Sequence, residues 1–148
     1  MKSKGFSLLE VMFSALVMVA LLVGVLSLYI SCLNLQETAK NSSRASFQLS
    51  SMIEEIKGTN FNNINATYNN QRLDLEGLDG EMLVEVTPNG TDLLEVRVIA
   101  GWTQKGGSAI GEYGPNPDNS NQVELYDVDN DTVIESPYEL TAAIANMN

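Results

Sequence analysis

Three carboxylates alternate along a short polar stretch near the carboxyl end of the chain, at Asp127, Asp129 and Asp131. Hard oxygen ligands at this spacing suit Ca²⁺, which extracellular proteins bind with dissociation constants of about 10⁻⁴ to 10⁻³ M. The run lacks the glycine and the closing glutamate of an EF-hand loop, and Asp and Asn are also common in ordinary turns. Two interpretations therefore stay open, a calcium site on these three residues and a turn without any cofactor.

The side chains that most enzymes use for catalysis are scarce in this sequence. Histidine is absent, and Cys32 is the only cysteine. This composition excludes Ser-His and Cys-His pairs, the usual zinc ligand sets and an intramolecular disulfide. Carboxylates are plentiful, but no two of them stand out as an acid and base pair. We therefore expect a protein that is not an enzyme.

The charge is distributed unevenly along the 148 residues, whose formal net charge is -11. Lys2 and Lys4 lie at the amino end, and from Glu37 onward 18 acidic side chains stand against 6 basic ones. An acidic surface of this kind repels phosphate backbones and anionic lipid headgroups. We expect no direct binding of nucleic acid by this part of the chain, whereas cations or basic partners fit it.

A long apolar segment separates these two regions. No charged side chain occurs between Glu10 and Glu37, and residues 11–30 are almost continuously apolar. Twenty helical residues span roughly 30 Å, the thickness of a bilayer core. The sequence predicts a membrane-spanning helix, and the lysines that precede it place its amino end in the cytoplasm and the remainder of the chain outside.

Three kinds of membrane segment are compatible with such a helix. A cleaved signal peptide has an apolar core of about 7 to 15 residues and a small-x-small cleavage site, and this segment is longer and ends without one. A lipoprotein signal would acylate Cys32, although Tyr29 and Ile30 replace the residues expected before it. The third possibility is a short leader followed by a permanent helix. The three alternatives predict different mature amino termini.

The carboxylate of Glu10 favours the third possibility, because an acid at the head of a membrane helix costs free energy unless it has a partner. Residues 4–11 read Lys-Gly-Phe-Ser-Leu-Leu-Glu-Val. This stretch resembles the type IV prepilin signature, in which a basic leader ends in glycine and glutamate occupies the fifth mature position. The resemblance implies that residues 1–5 form a leader, that prepilin peptidase cleaves between Gly5 and Phe6, and that the new Phe6 amine is N-methylated.

The implied processing gives Glu10 a partner in filament assembly. Methylation preserves the positive charge of the Phe6 amine, and a pair between Glu10 and the Phe6 amine of a neighbouring chain gains strength at the low dielectric of packed apolar helices. Such a pair would set the register between subunits. The alternative is that Glu10 extends to the lipid headgroups at the helix start, where the helix dipole also favours an anion.

Beyond Leu35 the sequence predicts that the same helix continues to Lys57, so that residues 6–35 form its membrane part. One face of this continuation carries small and apolar residues at steps of four and three, which favours packing against a domain. The face comprises Leu35, Ala39, Ser42, Ser46, Leu49, Ile53 and Ile56. Gly58 is expected to end the helix, and the Asn-rich residues 59–71 are expected to form a loop.

The remaining sequence changes to a period of two. Residues 82–87 and 93–102 predict an antiparallel hairpin around Pro88-Asn89-Gly90, with Leu94, Val96, Val98, Ala100 and Trp102 on its buried face. We expect a turn at residues 104–107, short strands near Ala109 and Val123, an irregular tail and a weak surface pair between Glu95 and Arg97. The predicted fold is α+β, with a long helix packed on a small antiparallel sheet in a globular domain of residues 58–148.

The order of these elements also resembles pilins and pseudopilins. Many major pilins have a proline in the membrane half of the helix and a disulfide loop near the carboxyl end, and this chain has neither. The resemblance is therefore to a minor subunit. The resemblance implies a structural subunit of a type IV pilus or type II secretion pseudopilus, stored in the bacterial inner membrane. Its partners would be other pilin subunits, prepilin peptidase and an inner-membrane assembly platform. A membrane-tethered ligand-binding protein, lipidated at Cys32, is the alternative.

Overall fold

The computed structural model describes residues 7–115, 123–128 and 133–146. Contacts between residues divide the chain into two units, Met1–Ala39 and Lys40–Asn148. The elements in chain order are α1 (Leu8–Lys57), α2 (Phe61–Tyr68), β1 (Gln71–Asp74), β2 (Asp79–Pro88), β3 (Leu93–Thr103), β4 (Ala109–Ile110), β5 (Tyr113–Pro115), β6 (Val123–Leu125) and β7 (Glu139–Ala145). This arrangement of a long helix and a small antiparallel sheet confirms the α+β class. The proposed division into leader, helix and globular domain stays a prediction.

The part of α1 within the second unit packs on the sheet through one stripe. Its buried side chains are Ala45, Leu49, Met52, Ile53 and Ile56. The stripe predicted from the sequence was partly wrong, since Leu35, Ala39 and Ser46 are exposed and Ser42 is half-buried. Positions 45 and 46 both fit a helical stripe that includes residue 49, and packing on the sheet buries the apolar Ala45 and leaves the polar Ser46 in solvent.

The segment after α1 was expected to be a loop, and it forms a second helix instead. Gly58 ends α1 as predicted, with its amide donating to the Glu54 carbonyl at 3.1 Å. Asn60 then caps α2, because its side-chain oxygen accepts a hydrogen bond from the Asn62 amide at 3.1 Å. Ile64 and Tyr68 are buried one turn apart. Their burial outweighs the modest helix propensity of the asparagines, which suggested a loop.

The predicted hairpin of β2 and β3 is confirmed and forms the centre of the sheet. The two strands are antiparallel, with Val84 opposite Val98. All five residues predicted to share one face of β3 are buried in the core beneath α1. Trp102, which is 0% exposed, packs on the Tyr138 ring at a centroid distance of 4.8 Å and is a core residue, as expected.

The carboxyl-terminal part of the chain differs from the prediction. β1 pairs with β2, and both β4 and β7 pair with the other edge of β3. The tail that was expected to be irregular thus contains β7, whose Ala142 and Ile144 pack against the core beneath α1. The predicted strand near Val123 exists as β6, but it pairs with β5 in a separate two-stranded sheet.

The small sheet covers the face of the large sheet that is opposite α1. Leu83, Ile99 and Leu125 form a second buried cluster there, and Tyr113 packs against it. Gly101 permits this close approach, because a Cβ at this position would lie 2.5 Å from Leu125 Cδ2. Both faces of β3 are therefore covered, which explains its long run of apolar residues.

Which face of α1 packs on the sheet can be tested by placing leucine at either of the adjacent positions 45 and 46. Ala45→Leu should reduce the free energy of unfolding by about 1–3 kcal/mol, because the site beneath the sheet is closely packed. Ser46→Leu, which places the same side chain in solvent, should change it by no more than about 0.5 kcal/mol. Chemical denaturation of the full chain in detergent measures both. Equal effects at the two positions would contradict the observed face.

Candidate functional site

The apolar segment, residues 8–35 of α1, is the most unusual surface of the described chain. Its large apolar side chains are exposed on all sides of the helix, from Leu8 at 80% to Leu35 at 69%. An 18-residue window has a mean hydropathy of 2.7, and none of it is buried within the chain. By length and composition this helix can cross a membrane.

The serines of the apolar segment make hydrogen bonds within the helix itself. Ser14 donates to the Glu10 carbonyl at 2.8 Å, Ser27 to the Val23 carbonyl at 3.0 Å, and Ser31 to the Ser27 carbonyl at 3.0 Å. A hydroxyl that bonds to the carbonyl four residues earlier needs no water. The segment can therefore enter an apolar environment without leaving these donors unpaired.

Glu10 is the one charged residue in the described part of the apolar segment. It lies in the first turn of α1, where its amide donates to the Ser7 carbonyl at 2.9 Å. Its carboxylate is exposed and forms no hydrogen bond or ion pair with the described residues. Glu10 shares a helix face with Phe13, Ser14 and Val17. The acid thus heads an apolar stripe, and no described residue of this chain pairs with it.

The residues predicted to undergo processing lie just before this turn. Gly5 and Phe6 fall outside the described residues, which begin at Ser7. Cleavage after Gly5, N-methylation of Phe6 and the pair between Glu10 and a neighbouring Phe6 amine therefore stay predictions. Cys32, the alternative attachment point, is an exposed free thiol within the uninterrupted helix α1.

The predicted calcium ligands are only partly described. Asp127 follows β6 and is half-buried, whereas Asp129 and Asp131 lie outside the described residues. Within residues 7–115, 123–128 and 133–146, no group of three His, Cys, Asp or Glu side chains is placed to hold a metal ion. Calcium binding by the three aspartates stays a prediction.

The carboxylate of Glu112, which the sequence did not indicate as important, binds backbone amides on both sides of the stretch that contains Asp129 and Asp131. Glu112 Oε1 accepts a hydrogen bond from the Val128 amide at 3.0 Å, and its Oε2 accepts one from the Glu135 amide at 2.7 Å. Both partners are distant in sequence, so no local motif could have indicated this role. Glu112 thereby holds the two ends of the segment that contains Asp129 and Asp131.

The two arginines of the sheet form ion pairs across strands. Arg97 contacts Glu85 at 3.1 Å and Glu139 at 2.7 Å, so the pair predicted with Glu95 was wrong. Glu85 lies directly opposite Arg97 on β2, whereas Glu95 is on the same strand and is exposed. Burial lowers the pKa of Arg97, but hydrogen bonds and charge from Glu139 and Glu85 outweigh this effect and raise it above its usual value.

Arg72 forms the second such group. It contacts Glu81 at 2.6 Å and Glu124 at 3.4 Å, and it donates to the Leu125 carbonyl at 2.9 Å. These bonds tie β1 and β2 of the large sheet to β6 of the small one. Both arginines therefore serve the fold, and their carboxylate partners are engaged in ion pairs.

Comparison with protein-family models, with curated proteins and with solved structures finds no match for this chain. Its function is therefore argued from its own residues.

Burial and the acidic surroundings of Tyr113 are expected to make the stability of the protein depend on pH at alkaline values. Burial, and then the charges of Asp79, Glu81 and Asp74, raise the pKa of Tyr113 above 10.0. Ionisation of Tyr113 therefore favours the unfolded chain. Its contribution to the free energy of unfolding is fully present below about pH 10 and is lost as the pH rises through the folded-state pKa.

A comparison with Tyr113→Phe isolates this effect, because the variant keeps the ring and removes the ionisable group. The unfolding free energy of the wild type, relative to the variant, should be constant from about pH 8 to about pH 9.5 and should fall above about pH 10. Chemical denaturation of both full-length proteins in detergent provides the measurement. A constant difference up to about pH 12 would contradict the raised pKa.

Proposed function

We propose that this chain is a structural subunit, of the minor pilin or minor pseudopilin kind, of a type IV pilus or a type II secretion pseudopilus. In this proposal the chain is stored in the inner membrane, with its amino end in the cytoplasm and its acidic domain outside. Prepilin peptidase removes residues 1–5 and methylates Phe6. An assembly platform in the inner membrane then transfers the subunit into the filament.

The observation that carries the proposal is the combination of an uncovered apolar helix and an acid at its head. No residue of the most apolar part of this segment is buried within the described chain, so the segment requires lipid or the helices of other chains as a cover. Lipid alone explains the apolar side chains but offers no partner for Glu10 beyond the headgroups. Packing with neighbouring helices that begin with a charged amine accounts for both features.

The segment also suits transfer between these two environments. Its serines are hydrogen-bonded within the helix, so they lose no partners when lipid is replaced by protein. Helices covered on all sides by apolar side chains can pack by van der Waals contact both in lipid and against the helices of a filament. A function in assembly therefore follows from surface chemistry, and it requires no catalytic residue in this chain.

The amino terminus of the mature protein distinguishes this proposal from its rival. Mass spectrometry of the protein purified from membranes of its native host should find a chain that begins with N-methylated Phe6. A tethered ligand-binding protein would instead carry an acyl group on Cys32. An intact Met1 or an acylated Cys32 would refute the proposed processing.

Glu10→Val tests the role of the acid. Membrane insertion should be unchanged, because the helix becomes more apolar, whereas incorporation into filaments should fall by at least about tenfold, because the neighbouring amine loses its buried partner. Ser14→Val, one turn further on the same face, is the matched control and should leave incorporation unchanged. Membrane fractions and sheared filaments are quantified by immunoblotting. Normal incorporation of Glu10→Val would exclude the proposed ion pair.

A further inference from the structure

A basic and aromatic surface occurs on α1 in the otherwise acidic second unit. Lys40, Arg44 and Phe47 lie three and four residues apart, which places them on one side of the helix, and they border a groove of about 480 Å³. We call these three residues the helix patch. Phe47 is 75% exposed, unlike the aromatic side chains of the core.

The two cations of the helix patch differ from three other cations that the structure describes in this unit. Lys57, Arg72 and Arg97 each form an ion pair with at least one glutamate. Lys40 and Arg44 form none with the described residues, and Arg44 only donates to the Gly77 carbonyl at 3.4 Å. Glu76 lies at the rim of the same groove, so the patch and its rim carry two positive charges and one negative charge.

The helix patch is held in place by the turn between β1 and β2. Gln48 Nε2 donates to the Glu76 carbonyl at 3.2 Å, and Gln48 Oε1 accepts from the Glu76 amide at 2.8 Å. This pair of bonds fixes the helix beside the turn, one residue from Phe47. Phe47 thus projects from a backbone that is already held in place, which reduces the conformational entropy lost when a partner binds this side chain.

A surface with the complementary chemistry lies elsewhere in the same unit. An open groove of about 640 Å³ is bordered by Val133, Glu135, Pro137 and Glu139, with Glu112 and Arg97 also lining it. We call it the carboxylate groove. It contains three carboxylates and one arginine, so its charge is negative. Val133, at 41% exposed, and Pro137 give it an apolar border against which an aromatic ring can pack.

We propose that the helix patch of one copy of this chain binds the carboxylate groove of a second copy. Phe47 would pack between Val133 and Pro137, and Lys40 and Arg44 would approach Glu135 and Glu139. Since the two surfaces differ, the contact is heterologous and leaves one of the two surfaces free on each copy for a further subunit of the filament. The inference rests on the proposed filament function and adds a contact between domains to the packing of the apolar helices.

Cross-linking tests the contact in full-length chains. Two differently tagged copies, both with Cys32→Ser, are expressed together in membranes, one with Phe47→Cys and the other with Val133→Cys. Mild oxidation should join them, because a disulfide forms where Cβ atoms come within about 4.5 Å. Ser46→Cys in place of Phe47→Cys is the control, since that exposed residue points about 100° away around the helix. Cross-linking no stronger than this control would overturn the proposal.

An exchange of charge between the copies tests the chemistry of the contact. Arg44→Glu in the copy with Phe47→Cys should lower the cross-linked fraction by about fivefold, because one attractive pair becomes repulsive. Glu135→Arg in the other copy should restore it. Glu135 serves for this exchange because its side chain is exposed and Glu139 already pairs with Arg97. Failure of the second change to restore cross-linking would overturn the proposed pairing.

The same cells separate this inference from the proposed function. If chains are processed at Phe6 and enter filaments but do not cross-link, the contact is refuted and the filament function stands. If chains cross-link but are neither processed nor incorporated, the contact is supported and the filament function is refuted.

Discussion

The structure depends on a single constraint, the need to cover an exceptionally long helix. α1 contains 50 residues, and one core of this size cannot bury it. The chain meets the need in two different ways. From Ala45 onward a narrow stripe is covered by the sheet, whereas residues 8–35 are apolar on every side and find no cover among the residues that the structure describes. The first arrangement stabilises a domain, and the second requires lipid or other chains.

The same constraint explains the distribution of charge. Side chains that leave water must be apolar, paired or internally hydrogen-bonded, and the serines of the apolar segment follow this rule whereas Glu10 does not. The acidic residues concentrate instead in the second unit. There, Arg72 and Arg97 neutralise part of the charge between strands, and Glu112 holds two backbone amides. An acid at the head of this apolar segment, without a partner among the described residues, is therefore the feature that most strongly suggests a partner outside them.

The second unit is built around β3. This strand pairs with β2 on one edge and with β4 and β7 on the other, and both of its faces are covered, by α1 and by the small sheet. Local sequence predicted the hairpin because β2 and β3 are adjacent and turn residues separate them. It did not predict β7, which pairs with residues of β3 that lie 40 to 52 positions earlier and whose alanines carry little strand propensity.

The sequence by itself determined the helix from the apolar segment to Lys57, the central hairpin, the buried face of β3 and the α+β class, because these follow from local periodicity and turn chemistry. It also specified the candidate residues Gly5, Phe6 and Glu10 through one short motif. Tertiary structure decided which stripe of α1 is buried, that the Asn-rich segment is helical, and that Arg97 pairs with Glu85 and Glu139. Each of these depends on groups brought together from distant parts of the chain, where burial outweighs local propensity.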